Sequence, residues 1–124
     1  MIRALTFDTY GTVVDWRSSV LAELQALAQR RAPALDCVRF LDDWKAVYRP
    51  GMDKVNRGEI PWTTVDAIYR QRLDELLVAH RVAGLTAEEI ETLSRVWWRL
   101  APWPDSVAGL RRLKRRYILS PLSN

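Results

Sequence analysis

The chain has 124 residues, 48% of them hydrophobic and 27% charged, and a formal net charge of +4; these values bound it to one modest core, a domain or a domain and a piece, of the soluble globular class. A single cysteine, Cys37, excludes an internal disulfide, and with no second Cys and only one His, His80, a zinc site loses support. No apolar run approaches a membrane span, and Ile2 to Phe7 ahead of Asp8 is far too short for a secretory signal, so a cytoplasmic location with no membrane partner is expected.

Residues 2–7 read as a buried strand, because a short run containing Ile, Leu, Thr and Phe precedes a Gly turn and is too short for a helix. The period then changes. Val20, Leu21, Leu24, Leu27 and Ala28 recur at helical spacing from about Trp16 to Arg30, and Pro33 closes the segment. After Asp36 a second helix carries Val38, Leu41, Trp44, Lys45 and Tyr48, with Cys37 packing near its start and Pro50 stopping it. Gly51 to Arg57 adds a short helical turn that Gly58 ends.

From Trp62 to about Val82 a further helix is predicted from Val65, Ile68, Tyr69, Leu73, Leu76 and Leu77, with Thr63 or Thr64 as its cap. Thr86 followed three residues later by Glu89 spells a capping box, opening a helix that runs to about Leu100 and ends at Pro102. Pro104-Asp105 starts another, in which Val107, Leu110 and Leu113 share a face, and Tyr117 to Leu122 returns to strand character. His80, near a helix end with no Ser or Cys partner in view, reads as a surface or capping residue rather than a base.

The order is strand, a block of helices, one more helix, strand. That is more helix than a simple crossover between parallel strands requires. The expected fold class is α/β, with the block from about 16 to 99 as a helical insertion sitting over the strand ends. The cations of Arg111-Arg112-Leu113-Lys114-Arg115-Arg116 complement a helix C-terminus as a solvated face, so no nucleic-acid partner is expected. Trp97, Trp98 and Trp103 can wall a dry pocket, but core and interface packing is the commoner use of such residues.

Asp8 stands where an open α/β sheet places its chemistry, at the end of the first strand and before Gly11. A carboxylate there, facing a turn whose N–H groups stabilise charge, can attack an electrophilic carbon or phosphorus and form an ester. Spacing alone leaves equally open that Asp8 merely caps the turn.

Asp8-Thr9-Tyr10-Gly11-Thr12 with Val13-Val14-Asp15 resembles the first motif of the haloacid dehalogenase superfamily, in its type II 2-haloacid dehalogenase branch. Pro102-Trp103-Pro104-Asp105, the basic helix and Leu122-Ser123-Asn124 are similar to that branch's route into its second motif. Phosphatase members of the superfamily carry a second Asp two positions after the nucleophile, where it protonates a departing alkoxide, and hold Mg2+. This chain has Tyr10 there. A halide leaves without a proton, so a dehalogenase can dispense with the acid, and one carboxylate fewer weakens an oxygen cage for magnesium.

The resemblance implies the start of a Rossmann-like core with two parallel strands in residues 1–15 and 100–124, with residues 16–99 as an inserted helical cap, and a hydrolase acting on carbon-halide bonds with no metal and no cofactor. Asp8 would displace halide from C2 of a short 2-haloacid, and water would hydrolyse the aspartyl ester to release a 2-hydroxyacid. Thr12 and Ser123 would hold the substrate carboxylate or orient the nucleophile, Tyr10 would lie on the substrate side, and Asn124 would help bind halide. Trp44-Lys45-Ala46-Val47-Tyr48 resembles a cap motif in which Trp precedes Arg, the halide-side cation. Lys45 keeps the charge but not the planar fork of donors, and Arg49 shares its helical face if the helix continues to Pro50. Lys45 as a solvated surface cation is an equal reading.

In that family a lysine that steadies the nucleophile and a later acidic motif follow on further strands, neither assignable here. An N-terminal fragment of a longer enzyme, inactive by itself, is therefore expected. A phosphatase acting on a small phosphorylated metabolite, with Mg2+, is one alternative. A non-catalytic helical binding or assembly module is the other, in which open strand edges pair with another chain; a homodimer is open on either account.

Overall fold

The computed structural model describes residues 1–122. In chain order the elements are strand β1 (Ala4–Phe7), helices α1 (Trp16–Arg31), α2 (Cys37–Lys45), α3 (Tyr48–Asn56), α4 (Val65–Ala79) and α5 (Ala87–Ser94), a 3-10 turn over Arg95–Trp98, α6 (Ser106–Leu113) and β2 (Ile118–Pro121). The chain divides into two compact units, one built from Met1–Val20 and the stretch from Trp97 onward, the other from Leu21–Val96.

In the first unit β1 and β2 pair in parallel, Ala4 opposite Ile118 and Phe7 opposite Pro121. The α/β class with two parallel strands is therefore as the sequence predicts. The expectation of a buried strand over residues 2–7 is corrected: Ile2 is 69% exposed, the strand is four residues long, and only Leu5 and Phe7 are partly covered. Period-2 alternation explains this, since one face of β1 is covered and the other is open. No residue of α6 is fully buried; on its apolar face Leu110 and Leu113 are partly covered and Val107 is 43% exposed.

The second unit is organised by α4, which packs against α2, α3 and α5. Its Ile68, Tyr69, Leu73, Leu76 and Leu77 are buried and follow the 3, 4 spacing of one helical face. Phe40, Leu41 and Trp44 from α2 and Leu24 from α1 are fully buried; each such side chain contributes roughly 2 kcal/mol by leaving water. Thr64 caps α4 by accepting from Ala67 N at 3.2 Å. Thr86 and Glu89 form both halves of the capping box of α5. Cys37 opens α2 with its thiol donating to Leu35 O, and burial together with the Asp36 charge pushes that thiol's pKa up.

Pro50 acts differently from the sequence expectation. It does not stop the second helix but lies in the first turn of α3, where a missing N–H costs nothing. Its ring cannot coexist with a helical carbonyl four residues back, at Ala46. The break accordingly falls at Ala46 and Val47, ahead of the proline. The predicted helix to Leu100 ends at Ser94 and tightens into the 3-10 turn, a common way to finish a helix. No helix among the described residues is long and apolar enough to cross a membrane.

Candidate active site

The site begins with the parallel register. Leu122 N donates to Phe7 O at 2.7 Å, so the carboxyl ends of both strands lie side by side with Asp8 the next residue beyond β1. Asp8 is exposed, and Thr12 Oγ1 donates to its Oδ2 at 2.7 Å. This charge-assisted bond fixes one carboxylate oxygen and its rotamer.

The loop that carries Thr12 back to Asp8 is closed by its own backbone. Val13 N and Val14 N both donate to Thr9 O, at 3.0 and 3.1 Å, and Gly11 N donates to Val14 O at 2.9 Å. Gly11 has φ +91°, a conformation that a side chain resists. These three N–H groups are consumed within the loop, and the Thr12 hydroxyl is a donor on the Asp8 carboxylate.

The segment 101–106 staples the loop from outside. Trp103 Nε1 donates to Gly11 O at 3.1 Å, Trp103 N and Ser106 Oγ both donate to Val13 O, at 3.1 and 2.8 Å, and Asp15 N donates to Ala101 O at 2.8 Å. Ser19 adds a bridge, donating to Asp15 O and accepting from Ala101 N. Ser106 and Ser19, both partly covered, carry no sequence signal, because any isolated serine reads alike. Trp103 belongs to a recognisable motif, yet its use as a hydrogen-bonded staple instead of a pocket wall depends on the fold.

Tyr10 is 38% exposed, and its hydroxyl donates to Trp97 O at 3.1 Å. Trp97 is buried and tilted against Trp16 at 6.2 Å, whereas Trp98 is 64% exposed, so the tryptophan pair splits between packing and surface. Ser123 and Asn124 lie outside the described residues. Among the described residues no group of three His, Cys, Asp or Glu side chains converges as a metal would require.

Lys45, at the last position of α2, is half-buried and not a bare surface cation. Its Nζ donates to Tyr69 OH at 3.0 Å and lies 4.5 Å from the centre of the Tyr48 ring. Tyr48 and Tyr69 stack with centroids 6.3 Å apart. Burial lowers the lysine's pKa, because the charged form loses hydration. Arg49 does not share this helix. Arg49 follows the break at Ala46 and Val47 and lies in α3, where its exposed guanidinium faces Asp53 at 3.7 Å, so the one continuous helix to Pro50 on which its expected place depended is interrupted. His80 caps α4, as expected of a capping residue, but its ring is largely covered, edge-on to Phe40 and 3.3 Å from Asp43 Oδ2.

A carboxylate at the carboxyl end of one of two parallel strands, held by a hydroxyl from a short Gly loop, defines the class of α/β proteins that keep their reactive groups at strand ends. Solved structures identify the branch. The chain is similar to the L-2-haloacid dehalogenase PA0810 and to the defluorinating L-2-haloacid dehalogenase Rha0230, each 41% identical over 99% of this chain with a TM-score of 0.90, covering 52% and 51% of those chains. The L-2-haloacid dehalogenase from Xanthobacter autotrophicus, 22% identical over 99% of this chain and 46% of its own, shares the fold with a TM-score of 0.73. No family model and no curated protein matches. The chain belongs to the haloacid dehalogenase superfamily, in its type II 2-haloacid dehalogenase branch, and spans about half the length of those solved chains.

Proposed function

We propose that this chain supplies the nucleophile half of a hydrolytic 2-haloacid dehalogenase. The observation that carries the reading is the Asp8 carboxylate oriented by Thr12 at 2.7 Å, with a tyrosine two positions on where a phosphatase needs a second acid. One Asp8 oxygen attacks C2 of a short 2-haloacid, the carbon-halogen bond breaks, and halide leaves with the electron pair. Water then attacks the ester carbonyl carbon, releasing a 2-hydroxyacid and regenerating Asp8. No metal or cofactor enters either step.

Thr12 orients the nucleophile, Tyr10 lies on the substrate side, and Ser123 and Asn124 receive the substrate carboxylate and halide. Lys45 is the halide-side cation of a cap formed by the helical unit, favoured over Arg49, which is exposed and turned to Asp53. The complete enzyme draws its remaining lysine and acidic groups from chain beyond these residues. Tyr10 donates its hydroxyl hydrogen bond to the backbone carbonyl of Trp97, so it does not stand in for the phosphatase's second acid.

The test uses the chain extended to the length of its relatives, 2-chloropropionate as substrate, and halide release as the readout. Asp8→Asn should abolish release. In a single turnover with excess enzyme in heavy-oxygen water, the label should enter the peptide containing Asp8 and not the product hydroxyl. Label appearing in the product with none on Asp8 would mean direct attack by water and would overturn the reading.

A further inference from the structure

We propose that Tyr69 is a positioning residue for anion binding at Lys45: the tyrosine hydroxyl and the Tyr48 ring together hold the ammonium where a guanidinium would otherwise hold itself. The inference rests on the reading of Lys45 as the halide-side cation. It goes beyond that reading by assigning a role to Tyr69, which no sequence motif marks, and to the ring of Tyr48.

The geometry is a double grip. Successive residues at the end of α2 both bind Tyr69, Trp44 Nε1 through its backbone carbonyl at 2.8 Å and Lys45 Nζ through its hydroxyl at 3.0 Å. Tyr69 is itself buried in α4, and Trp44 is fully buried and edge-on to the Tyr69 ring. A lysine ammonium on a four-carbon stem is ordinarily mobile, with about 2 kcal/mol of rotamer entropy to lose on being fixed. Here that entropy is removed on folding, by a hydrogen bond and by the faces of two stacked rings, 4.5 and 5.7 Å from Nζ.

An arginine at this position would present two donors in a fixed plane and would not depend on such a cage. A lysine has no such plane, so its direction must come from its neighbours. The same contacts that orient the charge also strip some of its water, which raises the reward for a small anion meeting it. The anion class that fits is a halide, or the carboxylate of a short acid, meeting one compact cation.

The experiment uses the protein with its lysines labelled with nitrogen-15, titrated with chloride while the Lys45 ammonium signal is followed by NMR. The chain has three lysines, Lys45, Lys54 and Lys114, so the signal is assigned by its loss in Lys45→Arg. Tyr69→Phe keeps the ring and the carbonyl that Trp44 needs, and removes only the hydroxyl. Chloride should move the wild-type signal, and Tyr69→Phe should weaken that binding about tenfold, as expected for one hydrogen bond to a charged group. The double variant Tyr69→Phe with Lys45→Arg, followed by chloride competition calorimetry, should recover most of the loss.

Equal chloride binding by wild type and Tyr69→Phe would overturn the positioning role and leave Lys45 as the halide cation. A wild-type Lys45 signal that ignores chloride would overturn the underlying reading and the inference with it. Loss in Tyr69→Phe without recovery by arginine would also overturn the inference, because it would mark general loosening of α4 and not a lost orientation.

Discussion

Gly51 sits on α3 where it faces Ile68 of α4, and adding a single methyl group there sets two sizeable effects against each other. In an exposed helix, replacing Gly with Ala gains about 1 kcal/mol from backbone entropy. At Gly51 the new Cβ would lie 2.7 Å from Ile68 Cγ2 and 3.2 Å from its Cδ1, well inside the 3.5–4.0 Å at which carbon atoms ordinarily rest. Ile68 is buried, and its branched Cβ allows essentially one rotamer in a helix, so Cγ2 cannot swing clear alone. Overpacking of this kind costs about 1–3 kcal/mol. The clash therefore outweighs the propensity gain, and Gly51→Ala should destabilise by about 1 kcal/mol, or lower Tm by about 4 °C.

Urea denaturation measures the effect directly. The truncation Ile68→Ala, which opens space beneath the new methyl, should turn the Gly51→Ala change from unfavourable to favourable, giving a coupling of about 1 kcal/mol or more. The consequence reaches the candidate site, because α3 begins at Tyr48 and α4 carries Tyr69, the two rings that hold Lys45. Moving α3 off α4 should broaden or shift the Lys45 ammonium signal. A Gly51→Ala protein that is more stable by the full propensity gain, with the Lys45 signal unchanged, would refute the close approach of α3 and α4.

Thr12→Val, nearly isosteric, removes the bond to Asp8; a hydrogen bond to a charged group is worth about 1.5–3 kcal/mol, so in the chain extended to its relatives' length kcat should fall about ten- to hundredfold with the substrate's KM little changed. A drop of less than threefold would show that Thr12 does not orient the nucleophile. Thr86→Ala should cost about 1 kcal/mol of stability at neutral pH by opening the capping box of α5, measured as a shift in the urea midpoint. The backbone N–H of Thr86 and then Arg31 hold the Glu89 carboxyl below its ordinary range. A carboxylate depressed in the folded state stabilises above its unfolded pKa and loses that contribution as pH falls through the folded value. Wild type should therefore exceed Glu89→Gln in stability at pH 7, with the gap closing below about pH 4; a gap independent of pH would contradict this.

The parts of the molecule that the sequence determined are those whose partners lie within a turn of one another. Thr86 and Glu89 meet because they are three residues apart at a helix start, and Thr64 caps α4 for the same reason. Asp8 at a strand end, followed by Gly11 and Thr12, is likewise a local arrangement, and its hydrogen bond spans only four residues. Pro50 shows the limit even of local rules: its ring forbids a continuous helix, but the steric conflict acts at the carbonyl four residues earlier, so the break lies at Ala46 and Arg49 is carried onto another helix.

What only the tertiary structure decided are the contacts between distant segments. Trp103 reaches Gly11 across 92 residues, and Lys45 reaches Tyr69 across 24. The local cap-motif resemblance leaves Lys45 evenly between a ligand and a solvated lysine, and Trp103 open as a pocket wall. A helical period fixes which face of an element is apolar, but several faces of similar hydrophobicity compete for each partner. The packing of α2 and α3 against α4, side chain by side chain, selects among them and so turns an ordinary lysine into an oriented charge.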